Sequence, residues 1–239
     1  MTKANDAIAI LGGTGDQGLG LALRFAKAGR TVLIGSRVPE RAEAAALEVI
    51  AAVPGAKVTG AGNPEATAGA AVVILSVPFE HTAGTLKSIR ESLRPGQIVV
   101  SMGVPLAAAI GDGAVRTLGV WQGSCAELVA SMTPPGVHVV SAFQNVSAHR
   151  LRELEHPVEC DVVVSGAPEP RKTVMALCAL VPGLRAVDGG PLANARIVES
   201  VTALLIGFNI RYRVPAGVEI AHRRAAEHVR QADDDVDDD

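Results

Sequence analysis

The amino-acid sequence predicts an α/β protein: a Rossmann-type, doubly wound parallel sheet followed by a small C-terminal α/β extension. Three observations predict this class. Short apolar runs alternate with helix-like segments, a glycine-rich turn follows the first apolar run, and a second apolar run comes soon after the first helix. We therefore expect a dinucleotide-binding domain in residues 1–140, an extension in residues 141–222 and a disordered acidic tail in residues 223–239.

The turn after the first apolar run contains the pattern Gly-x-Gly-x-x-Gly. Residues 7–11 have the length of a buried strand, Gly13 permits a tight turn after it, and Gly15 lets the backbone approach a pyrophosphate. Gly18 lets the following helix pack close to the strand. That helix directs its N-terminal amides at the pyrophosphate. The predicted nucleotide contacts in this turn are Gly12, Gly13, Thr14, Gly15, Asp16, Gln17 and Gly18.

The end of the second apolar run predicts which nucleotide binds. NAD-binding proteins usually place an acidic residue here to bind the ribose 2′-hydroxyl, but this chain has Gly35, Ser36 and Arg37. Ser36 and Thr14 offer hydroxyls, and Arg37 offers a planar cation suited to phosphate. A charge-assisted hydrogen bond contributes roughly 1.5–3 kcal/mol, so Arg37 favours NADP by about ten- to a hundredfold. Alternatively, Ser36 caps the next helix and Arg37 is a solvated surface charge.

The rest of the chain continues the alternation of strands and helices. Ligands bind at the carboxyl ends of parallel strands, which adds Ser76, Val77, Pro78, Gly103 and Val104 to the predicted nucleotide contacts. We expect strands at residues 7–11, 31–34, 57–60, 71–76, 97–101, 137–141, 160–165 and 184–187, and helices at residues 16–28 (ended by Gly29), 37–53, 66–69, from residue 81 to about 93, 168–179 and 191–208.

Two segments of the second half stand out. Residues 142–148 follow a predicted strand and carry adaptable amide side chains, again at a carboxyl end. The helix at residues 191–208 is apolar on more than one face, which predicts burial against another element or another subunit. Glu199 lies within it and has four alternative roles: pairing with Arg196, pairing with Arg211, closing a dimer contact, or a catalytic role, which is the least favoured.

Composition excludes several classes of protein. The chain has 239 residues, 48% of them hydrophobic, and no uncharged apolar run long enough for a membrane span. Its three cysteines lack C-x-x-C spacing, so we expect reduced thiols in a cytoplasmic protein, with no metal site. Without the six terminal aspartates, 22 Lys and Arg face 19 Asp and Glu, a mildly basic balance that suits anionic cofactors. Aromatic residues are too few for nucleic-acid stacking.

Six short motifs, in this order, resemble the NADPH-dependent coenzyme F420 reductases. The resemblance covers about residues 7–220 and is far more specific than the glycine pattern alone. The motifs are Leu11-Gly12-Gly13-Thr14-Gly15, Gly35-Ser36-Arg37, Val77-Pro78-Phe79-Glu80-His81, Ser141-Ala142-Phe143, Asp188-Gly189-Gly190-Pro191-Leu192 and Arg196-Ile197-Val198-Glu199-Ser200.

The resemblance implies direct hydride transfer between NADP(H) and the deazaflavin coenzyme F420, in a dimer whose extension binds the deazaflavin. By this resemblance Thr14, Ser36 and Arg37 contact the 2′-phosphate. Hydride transfer between two rings needs no nucleophile, metal or strong base, so we assign no residue with certainty as catalytic and expect residues 144–146 to position the rings. Some family members carry His-Thr-Ile where this chain has Gln-Asn-Val at 144–146. The remaining contacts that the resemblance implies are Gln144, Asn145, Val146 and Val218. Their positions in the chain add Ala142 and His81 to the predicted cofactor contacts.

Three alternative functions remain open at this point. The chain could reduce another small acceptor with NADPH, of the imine, flavin or ferric type, although reducers of C=N or C=O bonds usually need a proton donor. It could be an NADP(H) sensor without catalytic activity, since fold alone does not fix function. It could also be an interaction protein that binds a partner through residues 191–208. His81 could equally well be a packed residue at the rim of the site.

Overall fold

A computed structural model describes residues 6–221 as one eight-stranded sheet with helices on both faces. The strand order is β3-β2-β1-β4-β5-β6-β7-β8. The strands are β1 (Ile8–Leu11), β2 (Val32–Ser36), β3 (Val58–Gly62), β4 (Val72–Leu75), β5 (Ile98–Ser101), β6 (His138–Ser141), β7 (Cys160–Gly166) and β8 (Leu184–Asp188). The helices are α1 (Asp16–Lys27), α2 (Pro39–Ala52), α3 (Asn63–Ala68), α4 (Phe79–Ile89), α5 (Cys125–Met132), α6 (Ala148–Arg152), α7 (Pro168–Cys178) and α8 (Ala195–Tyr212).

Strand pairing confirms the predicted Rossmann-type fold. Strands β1 to β6 are all parallel, and the order places β1 beside β4, so the chain reverses direction across the sheet at this point. Open α/β sheets bind ligands at such a switch point. The predicted parallel sheet needs one correction, because β7 is antiparallel to β6. It pairs with β6 only through Ser165 and Gly166, whereas its first five residues pair in parallel with β8.

Both faces of the central strands are covered, as their continuous apolar runs predict. All four residues of β1, β4 and β5 are buried. On one face, α1 packs against the sheet, and Phe25 contacts Phe143 edge to face with ring centroids 6.3 Å apart. On the other face, α3 and α4 contribute Ala66, Leu86 and Ile89 to a second apolar cluster. These two layers hold the carboxyl ends of the strands in fixed positions.

The end of α1 follows the sequence prediction. Gly29 adopts φ = +76°, its amide donates to the Ala26 carbonyl at 2.9 Å, and the Arg30 amide donates to the Phe25 carbonyl at 3.0 Å. This pattern is a Schellman motif, which favours glycine because of the left-handed backbone. The predicted stop at Gly29 is therefore confirmed.

Two short helices, α5 and α6, were not among the predicted elements. A serine precedes each: the Ser124 hydroxyl accepts from the Glu127 amide at 3.0 Å, and the Ser147 hydroxyl accepts from the Arg150 amide at 3.4 Å. Ser124 and Glu127 form a capping box, a sequence signal that could have revealed α5. The helix predicted over 191–208 is a 3-10 turn, Leu192–Asn194, followed by α8.

No helix within residues 6–221 is both long enough and apolar enough to cross a bilayer. The predicted acidic tail, residues 223–239, lies outside the described residues, as do residues 1–5. The division at residue 140 stays a prediction, while strand pairing continues across it through β6 and β7.

Candidate functional site

Two adjoining pockets lie at the carboxyl ends of β1, β2, β4 and β5. Gly15, Ser76, Val77 and Pro78 line both pockets, which makes them two parts of one cleft. Pocket A, of about 350 Å³, is also lined by Asp16, Gln17, Gly18, Phe79, Met102, Gly103, Val104, Leu106, Gln144, Thr202 and Ile206. Pocket B, of about 390 Å³, is also lined by Gly12, Thr14, Ser36, Arg37, Val38, Arg41, Asn63, His81 and Thr85.

The glycine turn forms the floor between the pockets. Gly12 has φ = +80°, and a Cβ there would clash with the Ser76 carbonyl. The tight turn therefore depends on Gly12, whereas the sequence had predicted that it depends on Gly13. A Cβ on Gly13 would lie 2.9 Å from the Ile10 carbonyl oxygen. A Cβ on Gly18 would lie 2.6 Å from the Gly12 carbonyl oxygen, which confirms that Gly18 permits close packing of α1.

The N-terminus of α1 opens into this cleft. Gly15 is the N-cap residue and provides no side-chain cap, so the first amides of the helix have no side-chain partner at this position. A helix N-terminus with free amides attracts anions through its partial positive charge. Gly15 lines both pockets, and the geometry therefore suits a pyrophosphate that passes from pocket B to pocket A.

Pocket B has the chemistry of a phosphate site. Arg37 and Arg41 both line it, and no acidic residue does so among the residues that the structure describes. Ser36 is not the N-cap of α2, because Val38 holds that position and the Ser36 hydroxyl accepts from the Val38 amide at 3.1 Å. Arg41 was not among the predicted contacts, because an exposed cation in a first helical turn gives no local signal.

Asn63 is a second residue of pocket B that the sequence did not reveal. Its side chain is buried, and the Oδ1 atom has no hydrogen-bond partner among the described residues. A Cβ on Gly35 would lie 2.9 Å from this oxygen, so the end of β2 needs glycine to leave room for it. A buried, unpaired amide oxygen costs about 1–3 kcal/mol. Asn63 therefore places a buried acceptor without a partner beside pocket B.

Gln144 reaches pocket A from the loop after β6. Its Nε2 atom donates to the Ser141 hydroxyl at 2.7 Å, and its buried Oε1 atom has no partner within residues 6–221. The preceding residue, Phe143, has φ = +68°, a conformation that non-glycine residues seldom adopt. Backbone strain of this kind clusters at functional sites, where surrounding contacts must maintain it.

Contacts from three elements maintain the loop at residues 142–147. Gln17, on α1, donates through Nε2 to the Phe143 carbonyl at 3.0 Å and to the Val146 carbonyl at 3.2 Å. Thr202, on α8, donates to the Gln144 carbonyl at 3.2 Å. Asn145 anchors the loop to β7 through the Asp161 carbonyl at 2.7 Å. The loop that carries Gln144 is thus held by α1, α8 and β7.

Sequence comparison identifies the family. Residues 7–105 match the family described as NADP oxidoreductase, coenzyme F420-dependent. An F420-dependent NADP reductase from Methanothermobacter thermautotrophicus is 46% identical over 220 residues, covering 90% of this chain and 94% of the relative. The enzyme of the same name from Methanocaldococcus jannaschii is 49% identical over 211 residues, covering 86% and 93%. The chain belongs to the F420-dependent NADP reductases.

Solved structures agree with this family assignment. A crystal structure from Arthrobacter sp. FB24 that carries a provisional name as an F420-dependent NADP reductase superposes with a TM-score of 0.75 at 25% identity, covering 90% of this chain and 99% of that chain. A reductive aminase from Aspergillus terreus superposes with a TM-score of 0.60 at 18% identity, covering 87% and 63%. The second similarity shows a shared fold only.

Some predicted contacts of this F420-dependent reductase lie behind the cleft rather than in its walls. Ala142, Asn145 and Val146 are buried and line neither pocket, and Gly13 is buried beneath the turn. Val218 also lines neither pocket, and its carbonyl accepts from the Asp161 amide at 2.8 Å. Direct cofactor contact by these five residues stays a prediction. Asn145 holds the loop from behind in this structure.

The Glu199 carboxylate has partners that differ from both predicted arginines. It is 2% exposed and accepts from the Cys125 amide at 2.9 Å and the Ala126 amide at 3.1 Å, at the N-terminus of α5. Burial raises the pKa of Glu199 to about 7, the two amide hydrogen bonds lower it, and the nearby Glu127 carboxylate raises it further. Glu199 therefore links α8 to α5.

The thiols and possible metal ligands of the described chain suggest no further chemistry. Cys125, Cys160 and Cys178 are free and buried. Burial raises the pKa of Cys125 and of Cys178 to about 12, which keeps both thiols protonated and unreactive. Within residues 6–221, no group of three His, Cys, Asp or Glu side chains could hold a metal ion.

Proposed function

We propose that this protein transfers a hydride between NADP(H) and coenzyme F420. The observation that carries the proposal is the continuity of the cleft: pocket B suits a phosphorylated ribose, pocket A suits flat rings, and both share Gly15 and residues 76–78. A dinucleotide whose pyrophosphate lies at Gly15 spans both pockets and brings its nicotinamide into pocket A. The names of the relatives, 43–49% identical over nearly their whole length, support the same reaction.

The residues of pocket B support NADP(H) as the nucleotide. Arg37 and Arg41 supply two cations toward a 2′-phosphate, and the hydroxyls of Thr14 and Ser36 supply neutral contacts. No acidic side chain is among the described residues that line pocket B. The group that usually binds the ribose 2′-hydroxyl of NAD is therefore missing from this lining. In this proposal residues 1–140 bind NADP(H), with His81 at the rim of pocket B.

The residues of pocket A support a reaction that needs positioning rather than acid–base catalysis. Val77, Val104 and Ile206 give the pocket apolar walls, which exclude water from two stacked rings. When bound, reduced nicotinamide supplies the hydride and the deazaflavin accepts it. Gln144 fits this role, because its free Oε1 atom is a buried acceptor at the pocket wall. Residues 141–222 contribute Gln144, Thr202 and Ile206 to this pocket.

The same lining disfavours the alternative of an imine or carbonyl reductase. No His, Lys, Tyr or Cys side chain lines pocket A among the described residues, and Asp16, its one acid there, forms an ion pair with Arg152 at 3.1 Å. Reduction of a C=N or C=O bond requires a proton donor close to the reacting atoms. Hydride transfer between two cofactor rings has no such requirement.

We further propose a homodimer that uses the exposed face of α8, and a cytoplasmic location consistent with three free thiols. Leu204, Phe208 and Ile210 are 55%, 39% and 68% exposed on this helix. With Val115 and Gly207 they surround an apolar groove of about 510 Å³. Exposed apolar patches often mark interaction sites, and a second copy of α8 would match this groove in chemistry.

A direct assay tests the proposed reaction. Purified protein is mixed with NADPH and oxidised F420, and the loss of deazaflavin absorbance is followed, with NADH as the control. We expect rapid bleaching with NADPH and little with NADH. Tight NADPH binding without bleaching would reject the reaction and leave the sensor interpretation.

A further inference from the structure

Pocket A lies between two walls that belong to distant parts of the chain. One wall contains Gly103, at the carboxyl end of β5, and the other contains Thr202 and Ile206, on α8. Two rings stacked in this pocket must keep their reacting carbons about 3–3.5 Å apart. The separation of the walls is therefore as important to the rate as the identity of the lining residues.

The Gly103 wall rests directly on the N-terminus of α5. A Cβ on Gly103 would lie 2.6 Å from the Cys125 sulfur, which means that the backbone of Gly103 and the first residue of α5 are in close contact. The Cys125 thiol also accepts a hydrogen bond from the hydroxyl of Ser101, the last residue of β5 and two residues before Gly103, at 3.9 Å. A shift of α5 would displace Gly103 with it.

The α8 wall is connected to the same helix N-terminus by Glu199. This carboxylate accepts from the amides of Cys125 and Ala126, and Thr202 lies three residues further along α8. Thr202 in turn donates to the Gln144 carbonyl. A single buried side chain thus joins the support of one wall to the helix that forms the other.

We propose that Glu199 is a positioning residue for the hydride-transfer reaction, because it fixes the distance between the Gly103 wall and the α8 wall of pocket A. This inference rests on the proposed function of the cleft. Glu199 lines neither pocket and acts through Thr202, Ile206 and Gly103. A carboxylate suits the role because both of its oxygens accept hydrogen bonds from adjacent amides. A glutamine has one acceptor and would direct an NH₂ group at the second amide.

The variant Glu199→Gln tests the inference, with Glu127→Gln as its matched control. Glu127 lies in the same first turn of α5 and accepts from the Ser124 hydroxyl at 2.9 Å, while its carboxylate makes no hydrogen bond to α8 among the described residues. We expect Glu199→Gln to lower kcat by about ten- to a hundredfold and to raise KM for F420. The Kd for NADPH, which depends on pocket B, should change by less than about twofold, and Glu127→Gln should change none of these constants by more than that.

Amide hydrogen exchange gives a second measurement that does not depend on turnover. Glu199→Gln should speed exchange at Cys125 and Ala126 and in residues 142–147, whereas Glu127→Gln should leave residues 142–147 unchanged. A folded Glu199→Gln protein with wild-type kcat and KM would overturn the inference. If this variant does not fold, Thr202→Val replaces it, and an unchanged kcat there would also overturn the inference. Wild-type protein that fails to bleach F420 would reject the proposed function instead, and accelerated exchange in residues 142–147 would still support the link through Glu199.

Discussion

Arg37 and Arg41 are the two arginines that line pocket B. Arg37 directly follows β2, whose carboxyl end is the predicted ribose-binding position, whereas Arg41 lies in α2. We predict that Arg37→Ala weakens NADP(H) binding by about ten- to a hundredfold, because a charge-assisted hydrogen bond to the 2′-phosphate is lost. NAD(H) has no such phosphate, so its Kd should change by less than about threefold. Fluorescence titration with both reduced nucleotides measures the two effects.

Arg41→Ala serves as the comparison for Arg37→Ala. Arg41 lies one helical turn further into α2 and is exposed, so its loss should cost less NADP(H) affinity than the loss of Arg37. Equal weakening of NADP(H) and NAD(H) by Arg37→Ala would contradict the assignment of pocket B to the 2′-phosphate.

Glu199 makes stability depend on pH with a defined sign. Its pKa is about 7 in the folded chain against a reference of 4.5, so between these values the folded state binds more protons than the unfolded state. The contribution of Glu199 to the free energy of unfolding is complete below about pH 4.5 and is lost as pH rises toward 7. The full change is on the order of 3 kcal/mol.

Chemical denaturation of wild type and Glu199→Gln between pH 4 and 8 measures this contribution as the difference between the two proteins. The ionisable groups that act on Glu199 are the Glu127 carboxylate and the Cys125 thiol, and the thiol stays neutral throughout because its pKa is about 12. Glu127→Gln should keep the sign of the wild-type pH slope but make it shallower, because the Glu127 carboxylate is one of the causes that raise the pKa of Glu199. A difference between wild type and Glu199→Gln that does not vary with pH would show that Glu199 titrates normally.

At the scale of single elements, α1 has two functions: its N-terminus faces the cleft, and its first turn holds the strained loop at residues 142–147. Gln17 provides the second function through the carbonyls of Phe143 and Val146. We predict that Gln17→Leu lowers kcat by about tenfold or more and leaves the Kd for NADPH nearly unchanged. Leucine fills the same space but cannot donate, so the loop loses the contacts that keep Phe143 at positive φ.

Steady-state kinetics and nucleotide titration separate the two effects of Gln17→Leu. Gln122→Leu is a suitable control, because Gln122 is exposed in the connection between β5 and α5. A parallel loss of NADPH affinity and kcat in Gln17→Leu would indicate that Gln17 contacts the nucleotide, as the sequence analysis expected, and does not act through the loop.

The elements that the sequence predicted are those with a strong local signal. The glycine turn, α1 with its stop at Gly29, and the buried strands follow from apolar runs and glycine positions. The antiparallel direction of β7 has no local signal, because it depends on how residues 142–159 fold back against β6. The octapeptide α5 was overlooked although Ser124 and Glu127 form a capping box.

Site residues next to a strand end could be predicted from the sequence, whereas residues brought together only by tertiary packing could not. Ser36 and Arg37 follow directly from the end of a strand, and both line pocket B. Thr202 reaches Gln144 across 58 positions of sequence, and Gln17 reaches Val146 across 129. Spacing along the chain cannot reveal pairs of this kind, because only the packing of α1 and α8 around the sheet brings them together.

At the scale of the whole molecule, α8 belongs both to the cleft and to the surface. Ile206 lines pocket A, while Leu204 and Phe208 face outward on the apolar groove. If a second copy covers this groove, the dimer interface and the ring-binding pocket lie on two sides of the same helix, α8. Association would then hold α8 in place from outside, as Glu199 holds it from within.

We predict that Leu204→Glu weakens the proposed dimer, because it places a charge in the apolar groove, where a second copy of the chain would leave that charge unpaired. The dimer dissociation constant should rise by at least about tenfold, measured by sedimentation velocity over a range of concentrations. Leu47→Glu is the matched control, since Leu47 is 67% exposed on α2 and lines none of the pockets described here. A monomeric wild type would contradict the proposed dimer. A Leu204→Glu protein that dimerises as wild type does would show that the dimer does not form through the groove on α8.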